Sequence, residues 1–393
     1  MNTYSPQPVA FARGEGVWLW DVNGKRYLDA LAGIAVSGLG HAHPKLVKAI
    51  SEQAGKLIHV SNLVQVPEQV ALADKLCEIS GMDNAFICNS GAEANECAIK
   101  LARLFARKKN IENPAIIVME KAFHGRTLAT LSATGSRKAQ AGFEPLVAGF
   151  IRVPYNDIDS IKNIAAHNPD VVAVLTEVVQ GEGGINIGRA EYLRELRHLC
   201  DEKEWLFMLD EVQSGIGRTG TWFAHQHAGI TPDIMQLAKG LGSGIPIGAC
   251  LARGIASQLF KPGNHGTTFG GGPFVSVAAL TTLNVLQEDK LLENAEQVGA
   301  HIKTRFTNDL KDVSGVVEVR GMGLMIGIEL DRTCTDLVKT ALDNGLMINV
   351  TNERVIRLLP PLIMNKSEAD QLVDMLTPII KTFLSQTSAA SAV

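Results

Sequence analysis

No long hydrophobic run occurs in this sequence. Its apolar stretches are short and broken by glycine or charge, which excludes a helical membrane span. Basic clusters are missing too. Lys and Arg number 37 against 41 Asp and Glu, a net charge of -4, and nowhere do basic and aromatic residues interleave. Nucleic-acid binding by phosphate neutralisation is therefore not expected. Met1 to Arg13 carry neither an apolar core nor an Arg-rich face, so no export or transit signal is read and the expected location is the cytoplasm. Cysteine is scarce, with six residues and no C-x-x-C pair, and reduced core thiols are expected rather than disulfides. His41 and His43 form the one close histidine pair, but they precede Pro44 in a Gly-rich turn, and no metal site is expected. Ser/Pro-rich linkers and internal repeats are also lacking.

What is present is a chain of 393 residues with 46% hydrophobic and 20% charged content. That is enough for roughly two to three domains with a large core. Val17-Trp18-Leu19-Trp20 and Arg26-Tyr27-Leu28-Asp29 flank Asn23-Gly24, a tight-turn signal, and predict a hairpin. Helical spacing follows in Pro44 to His59 and Pro67 to Ser80. Short apolar strands are predicted at Ala85 to Cys88, Ile116 to Met119, Val171 to Thr176, Leu206 to Leu209, Ile234 to Leu237 and Gly248 to Leu251. Helical stretches such as Arg189 to Glu204 lie between several of them, which implies an α/β fold with a mainly parallel sheet. Further on, Asp289 to Lys311 reads as a helix, and Val316 to Arg320 and Leu324 to Leu330 as antiparallel strands. Two more helices are read at Thr335 to Asn344 and Lys366 to Leu384, with Ser385 to Val393 expected to fray. The expected division is residues 1–49 as an N-terminal segment packing with the small domain, 50–280 as the large domain, and 281–393 as a small α+β domain.

Parallel sheets place ligands beyond the carboxyl ends of their strands, so polar residues directly after apolar runs are the candidates. Ser90, Gly91 and Ala92 stand between a strand and a helix, where an anion can meet unpaired N–H groups; a plain helix cap reads equally well. Asp210 follows an apolar run directly, and a buried acid there needs a cation opposite it. Its neighbour Glu211 points the other way along an extended chain, and a surface acid pair is the competing reading. Lys239 lies 29 residues further on, beside Gly240, Gly242 and Gly244. Desolvation at a strand end turns a lysine into a nucleophilic amine, although a snorkelling lysine fits the same pattern. Phe123-His124-Gly125-Arg126 offers an aromatic face and a guanidinium. Glu182 sits on a glycine tether, and Arg357 lies far along the chain before Pro360-Pro361. P-loop, dinucleotide-fold, G-x-S-x-G and H-E-x-x-H patterns do not occur.

In combination these pieces match what pyridoxal 5′-phosphate requires: an anion cup, an aromatic plate, an acid, a nucleophilic lysine and carboxylate-binding arginines. The ordered motifs include Gly40-His41-Ala42-His43-Pro44, Asn89-Ser90-Gly91-Ala92-Glu93-Ala94-Asn95-Glu96, Phe123-His124-Gly125-Arg126-Thr127 and Gln180-Gly181-Glu182-Gly183-Gly184. They continue with Asp210-Glu211-Val212-Gln213, Gly217-Arg218-Thr219-Gly220, Ala238-Lys239-Gly240 and His265-Gly266-Thr267-Thr268-Phe269-Gly270-Gly271. Over nearly its whole length the chain resembles the class III aminotransferases of fold type I.

That resemblance implies a large domain with a seven-stranded sheet covered by helices, plus a smaller domain built from both terminal segments. It implies that Lys239 holds pyridoxal 5′-phosphate covalently and shuttles a proton, and that Asp210 pairs with the pyridine nitrogen. Gln213 is then expected at the ring hydroxyl, Val212 and Phe123 on the two ring faces, and Ser90, Gly91 and Ala92 at the phosphate. Thr268 is expected to reach the phosphate of a neighbouring subunit, which makes the active unit a homodimer with its site at the interface. Arg126 and Arg357 are expected to bind substrate carboxylates, with Glu182 neutralising Arg357. The usual E-P-x-Q reads Glu177-Val178-Val179-Gln180, losing the proline and keeping the acid, and Glu177 is expected among the substrate-binding residues. The usual G-G-N-P loses its asparagine at Gly271-Gly272-Pro273. Where ornithine-specific members carry a tyrosine, this chain has Ile34, which suits an α-nitrogen made neutral by acylation. The implied reaction moves the δ-amino group of N-acetylornithine to 2-oxoglutarate. Succinylornithine, N-succinyl-diaminopimelate, ornithine and 4-aminobutyrate remain alternative donors, and a non-catalytic binding protein on the same fold is the remote alternative.

Overall fold

The computed structural model describes residues 1–390. Phe11–Glu15 (β1), Trp18–Asp21 (β2) and Arg26–Asp29 (β3) form an antiparallel meander, with Gly24 at φ 84° in the predicted turn. Seven of the next strands make the main sheet. They are Asn84–Cys88 (β4), Ala115–Met119 (β5), Phe150–Val153 (β6), Val171–Glu177 (β7), Leu206–Asp210 (β10), Ile234–Leu237 (β11) and Gly248–Ala252 (β12). Val179–Gln180 (β8) and Asn186–Ile187 (β9) form a small ladder that brackets the segment from Gly181 to Ile185. The C-terminal strands are Val316–Met322 (β13), Met325–Leu330 (β14), Leu346–Met347 (β15), Asn349–Thr351 (β16) and Val355–Leu358 (β17).

The main sheet runs in the order β4-β12-β11-β10-β7-β5-β6. β5, β7 and β10 are buried at every position, the mark of strands covered on both faces. On one face Ile116, Val118, Leu175 and Met208 pack under the helix Gly91–Lys108. On the other, Ile117, Met119, Val174, Phe207 and Leu209 meet the helix Ala190–Glu202. Six strands share one direction, and β12 runs antiparallel to both β11 and β4. The carboxyl ends of β4, β5, β7, β10 and β11 therefore open on one edge, where β12 begins.

Several elements escape a reading by pattern, and two show why. The helix Pro273–Glu288 packs against the helices Pro44–Ala54 and Pro67–Ser80. Its Val- and Thr-rich sequence is apolar on most sides because the helix is largely enclosed, so no one-sided stripe marks it. Strand β6 lies at the sheet edge with only Val153 fully buried, too little for an apolar run. The helix expected over Pro44 to His59 stops at Ala54, where Gly55 follows. The one expected from Asp289 starts at Leu291, after Lys290 turns left-handed. The last helix, Lys366–Ala390, runs past Leu384 into the stretch expected to fray, and residues 391–393 lie outside the described residues.

Both chain ends share structure. β15 adds to β3 in parallel, pairing Leu346 with Leu28, so the N-terminal sheet is completed from the C-terminal segment. Among the described residues no helix is long and apolar enough to cross a membrane.

The helix Leu291–Leu310 presses one residue, Gly299, onto the β13–β14 turn: a Cβ there would lie 2.0 Å from the Gly323 carbonyl oxygen. Gly299→Ala should therefore destabilise the protein by about 1–3 kcal/mol through overpacking, although alanine in an open helix gains about 1 kcal/mol over glycine. Denaturant unfolding of the two proteins measures it, and a stabilised variant would contradict the close contact.

Candidate active site

The carboxyl edge of the main sheet holds a cavity of about 430 Å³. Asn89, Ser90, Gly91 and Ala92 line it from the end of β4 and the start of the helix Gly91–Lys108. Phe123, His124, Gly125 and Arg126 come from beyond β5, Glu177 from β7, Asp210, Val212 and Gln213 from β10, and Lys239 from just after β11. Glu182 and Val36 complete the named wall.

Ser90 caps the helix, its Oγ accepting from Glu93 N at 3.2 Å. The first N–H groups of a helix have no intrahelical acceptor and carry the positive end of its dipole. Gly91 lets this end come close to the strand edge, because a Cβ there would stand 2.7 Å from Val212 Cγ1. An anion fits such a cup.

Asp210 is 4% exposed. Its Oδ2 accepts from Asn95 Nδ2 and pairs with His124 Nδ1, both at 2.8 Å, and its Oδ1 accepts from Val212 N at 3.0 Å. Asn95 Nδ2 also reaches the His124 carbonyl at 2.9 Å. The carboxylate is thus aimed by Asn95 and His124, to which the sequence alone assigns no role. Asn95 Oδ1 and His124 Nε2 are buried without a partner among the described residues. The one sequence signal for Asn95 is that it is polar among the buried Ala94, Cys97 and Ala98.

Lys239 holds a left-handed φ of 46°, a conformation that costs a non-glycine residue on the order of 1–3 kcal/mol. Burial pulls its pKa below the usual lysine range; Glu182 opposes that shift and Arg357 adds to it. Glu177 lies beside Asp210 in the β7–β10 register. Its carboxylate accepts from Phe123 N at 3.1 Å and Gly181 N at 3.4 Å. Burial, then repulsion from Asp210, push its pKa well above the normal carboxylate range.

Arg357 is 1% exposed. Its Nη1 meets Glu182 Oε1 at 2.6 Å and Gln213 Oε1 at 3.4 Å, while Nη2 and Nε reach Asn349 Oδ1 at 2.7 and 3.2 Å. Burial raises the Glu182 pKa, but the attraction and hydrogen bond of Arg357 outweigh it and leave the acid below its ordinary value. Glu182 and Gln213 line the cavity, with Arg357 behind them. Asn349 was not anticipated; only the fold brings it to Arg357. Arg126 is exposed, its guanidinium carbon 5.4 Å from the Phe123 ring centre.

Two residues stand apart from the expected picture. Thr268 is exposed and does not line this chain's cavity. Glu211 corrects the surface-pair reading: it is fully buried, accepting from Ala224 N at 3.0 Å, His225 N at 2.8 Å and Ser214 Oγ at 2.6 Å. It ties the chain beyond β10 to the turn Ala224–Ala228 and faces away from the cavity lining.

The donor set fits pyridoxal 5′-phosphate: an N–H cup for the phosphate, Val212 and Phe123 as plates, an oriented carboxylate for the ring nitrogen, and a lysine for the aldehyde. The aminotransferase class-III family pattern matches residues 1–380. An acetylornithine aminotransferase of Nitrosomonas europaea is 56% identical over 384 residues, 98% of each chain. The solved ornithine aminotransferase of Toxoplasma gondii, described with partial occupancy of PLP at its active site, superposes with a TM-score of 0.93 at 33% identity, covering 96% of this chain and 90% of that one. The acetylornithine aminotransferase of Elizabethkingia anophelis gives 0.86 at 35%, covering 97% and 95%. This chain is a member of the class-III aminotransferase family.

Proposed function

We propose that this protein moves the δ-amino group of N-acetylornithine to 2-oxoglutarate, giving N-acetylglutamate 5-semialdehyde and glutamate. The observation that carries the reading is the Glu182–Arg357 pair. A buried guanidinium stands behind an acid that faces the cavity and is itself 37% exposed. The donor has one carboxylate, distant from its reacting amine, and so brings nothing for Arg357; Glu182 keeps that charge covered while the exposed Arg126 takes the distant carboxylate. The acceptor has two carboxylates. Its α-carboxylate displaces Glu182 from Arg357, and its γ-carboxylate meets Arg126. The cavity-lining Val36, two residues beyond Ile34, supplies apolar surface, which suits an acylated α-nitrogen. Homologues named acetylornithine aminotransferase at up to 57% identity support the same donor.

Bound pyridoxal 5′-phosphate supplies an aldehyde for the incoming amine and a ring that withdraws electrons from the reacting carbon. The protein supplies the rest. Asp210, aimed by Asn95 and His124, holds a proton on the ring nitrogen. Lys239 Nζ, desolvated so that its neutral amine is favoured, would anchor the cofactor and carry the proton at the reacting carbon. Ser90, Gly91 and Ala92 would hold the phosphate and Gln213 the ring hydroxyl, with Val212 and Phe123 on either side of the ring.

We further propose a homodimer. Leu57, Ile58, Leu63, Val64 and Phe269 are all exposed. They form one face, since Asn62 Nδ2 donates to Gly270 O at 3.0 Å and the His59 and Phe269 rings lie 5.4 Å apart. Thr268 sits on that face. A second copy covering it would bring Thr268 toward the other copy's phosphate cup.

Four outcomes test this reading. In a panel of amine donors with glutamate formation as the readout, N-acetylornithine should give the highest kcat/KM; a clear preference for free ornithine or 4-aminobutyrate would discard the substrate assignment. Lys239→Ala should lower kcat by about 10²–10⁴-fold or more, the range for losing a positioned acid–base group, and retained turnover would remove Lys239 from its role. Glu182→Ala leaves a buried arginine short of its counter-charge, a defect of about 3–5 kcal/mol when fully buried. Single-turnover measurements should show the donor half-reaction slowed far more than the glutamate half, and equal slowing would end the switch. Glu177 concerns pH. It stays protonated in the folded protein above the pH where the unfolded chain ionises, so its contribution falls as pH rises through that window. The cofactor-free Glu177→Gln protein should therefore gain thermal stability on the parent as pH rises above the ordinary glutamate range; a gap that does not change with pH contradicts the raised pKa.

A further inference from the structure

Strand register places Arg320, Gly327, Arg357 and Asn349 in one row across β13, β14, β17 and β16. Directly paired residues of an antiparallel sheet project to one face, and the segment carrying Glu182 lies across that face. Arg357 takes the Glu182 carboxylate at one end. At the other, Arg320 Nη2 donates to the Gly184 carbonyl at 2.5 Å and Nε to that of Ile185 at 3.0 Å. Between them Gly327 leaves room: a Cβ there would lie 3.0 Å from Ile185 Cβ. Thr351 of β16 donates to the carbonyl of Glu182 itself. Arg320 is held in turn by Glu318 at 2.8 Å and Glu329 at 2.6 Å, so its planar fork is oriented for two carbonyls at once.

We propose that Arg320 is a positioning residue for the Glu182 switch. It fixes the backbone from Gly181 to Ile185 on the C-terminal sheet, so that only the Glu182 side chain moves when Arg357 changes partner. Arg320 is absent from the catalytic cavity's lining and acts through Glu182. With the backbone pinned, the displaced carboxylate returns to the same place each cycle; with it loose, the closed pairing must be found again from many conformations, and misplacement of a reacting arrangement is costly in rate. The inference rests on the reading that Glu182 covers Arg357 in the donor half-reaction and leaves it in the other.

The test uses the holoenzyme variants Arg320→Ala, Arg320→Lys and Thr351→Val, mixed separately with N-acetylornithine alone and with glutamate alone. Single-turnover absorbance of the bound cofactor is the readout. Arg320→Ala should slow the donor half about tenfold or more and the glutamate half less than about threefold. Arg320→Lys, which keeps the charge but loses the fork, should recover part of the loss, and Thr351→Val should shift the ratio the same way by less. In a Glu182→Ala background, Arg320→Ala should not change the ratio further, since the two act as a unit. Independently of turnover, hydrogen exchange in the cofactor-free Arg320→Ala protein should quicken across residues 181–187. Equal slowing of both halves, full additivity with Glu182→Ala, or unchanged exchange overturns the proposal. A parent enzyme that reacts with glutamate but not with N-acetylornithine overturns the substrate assignment alone, and the comparison is then made with the donor that does react.

Discussion

A guanidinium removed from water must be met by carboxylate or carbonyl oxygens, because an unpaired buried charge costs several kcal/mol. Arg357 is 1% exposed, and the site is arranged around that demand. Asn349 and Gln213 satisfy part of it from fixed positions. Glu182 satisfies the charge, from a segment threaded between the two sheets. On the proposed reading, the same arginine accepts a substrate carboxylate only by exchange, one anion for another, and discrimination between substrates that differ by one carboxylate would follow from this electrostatic condition.

Four acids cluster at the carboxyl edge of the main sheet, and their surroundings separate them. Asp210 has three donors on its oxygens and stays aimed at the cavity. Glu177 has two weaker backbone donors and a neighbouring carboxylate, so burial dominates and favours its protonated form. Glu211 is enclosed by His225, Ser214 and backbone N–H groups, which outweigh its burial and hold it below the ordinary range. Glu182 borrows its counter-charge from another sheet. Residue type alone does not distinguish these roles; hydrogen-bond donors and nearby charges do.

Much of the site was legible because parallel strands end where ligands bind. Ser90, Asp210 and Lys239 each stand at the end of an apolar run, and each lines the cavity. Glu182 and Arg357, 175 residues apart, could be joined only through the family resemblance, since nothing local links them. His124 and Asn95 lay within quoted motifs, but their shared bond to Asp210 spans two separate crossovers. The reversed direction of β12 has no sequence signal, because a buried strand reads alike in either direction. Helix Pro273–Glu288 was hidden by its own enclosure, and Thr268 lies exposed and away from this chain's cavity.

The pairing of β3 with β15 has a consequence for synthesis. Lys25 donates to the Asp343 carbonyl at 2.7 Å, 318 residues further along the chain. At about 5–20 residues per second, tens of seconds separate the emergence of those two segments from the ribosome. Throughout that interval β3 of the nascent meander has no partner on its outer edge, beside the tryptophans of β2, until β15 is made. The meander is thus made long before the strand that closes its edge.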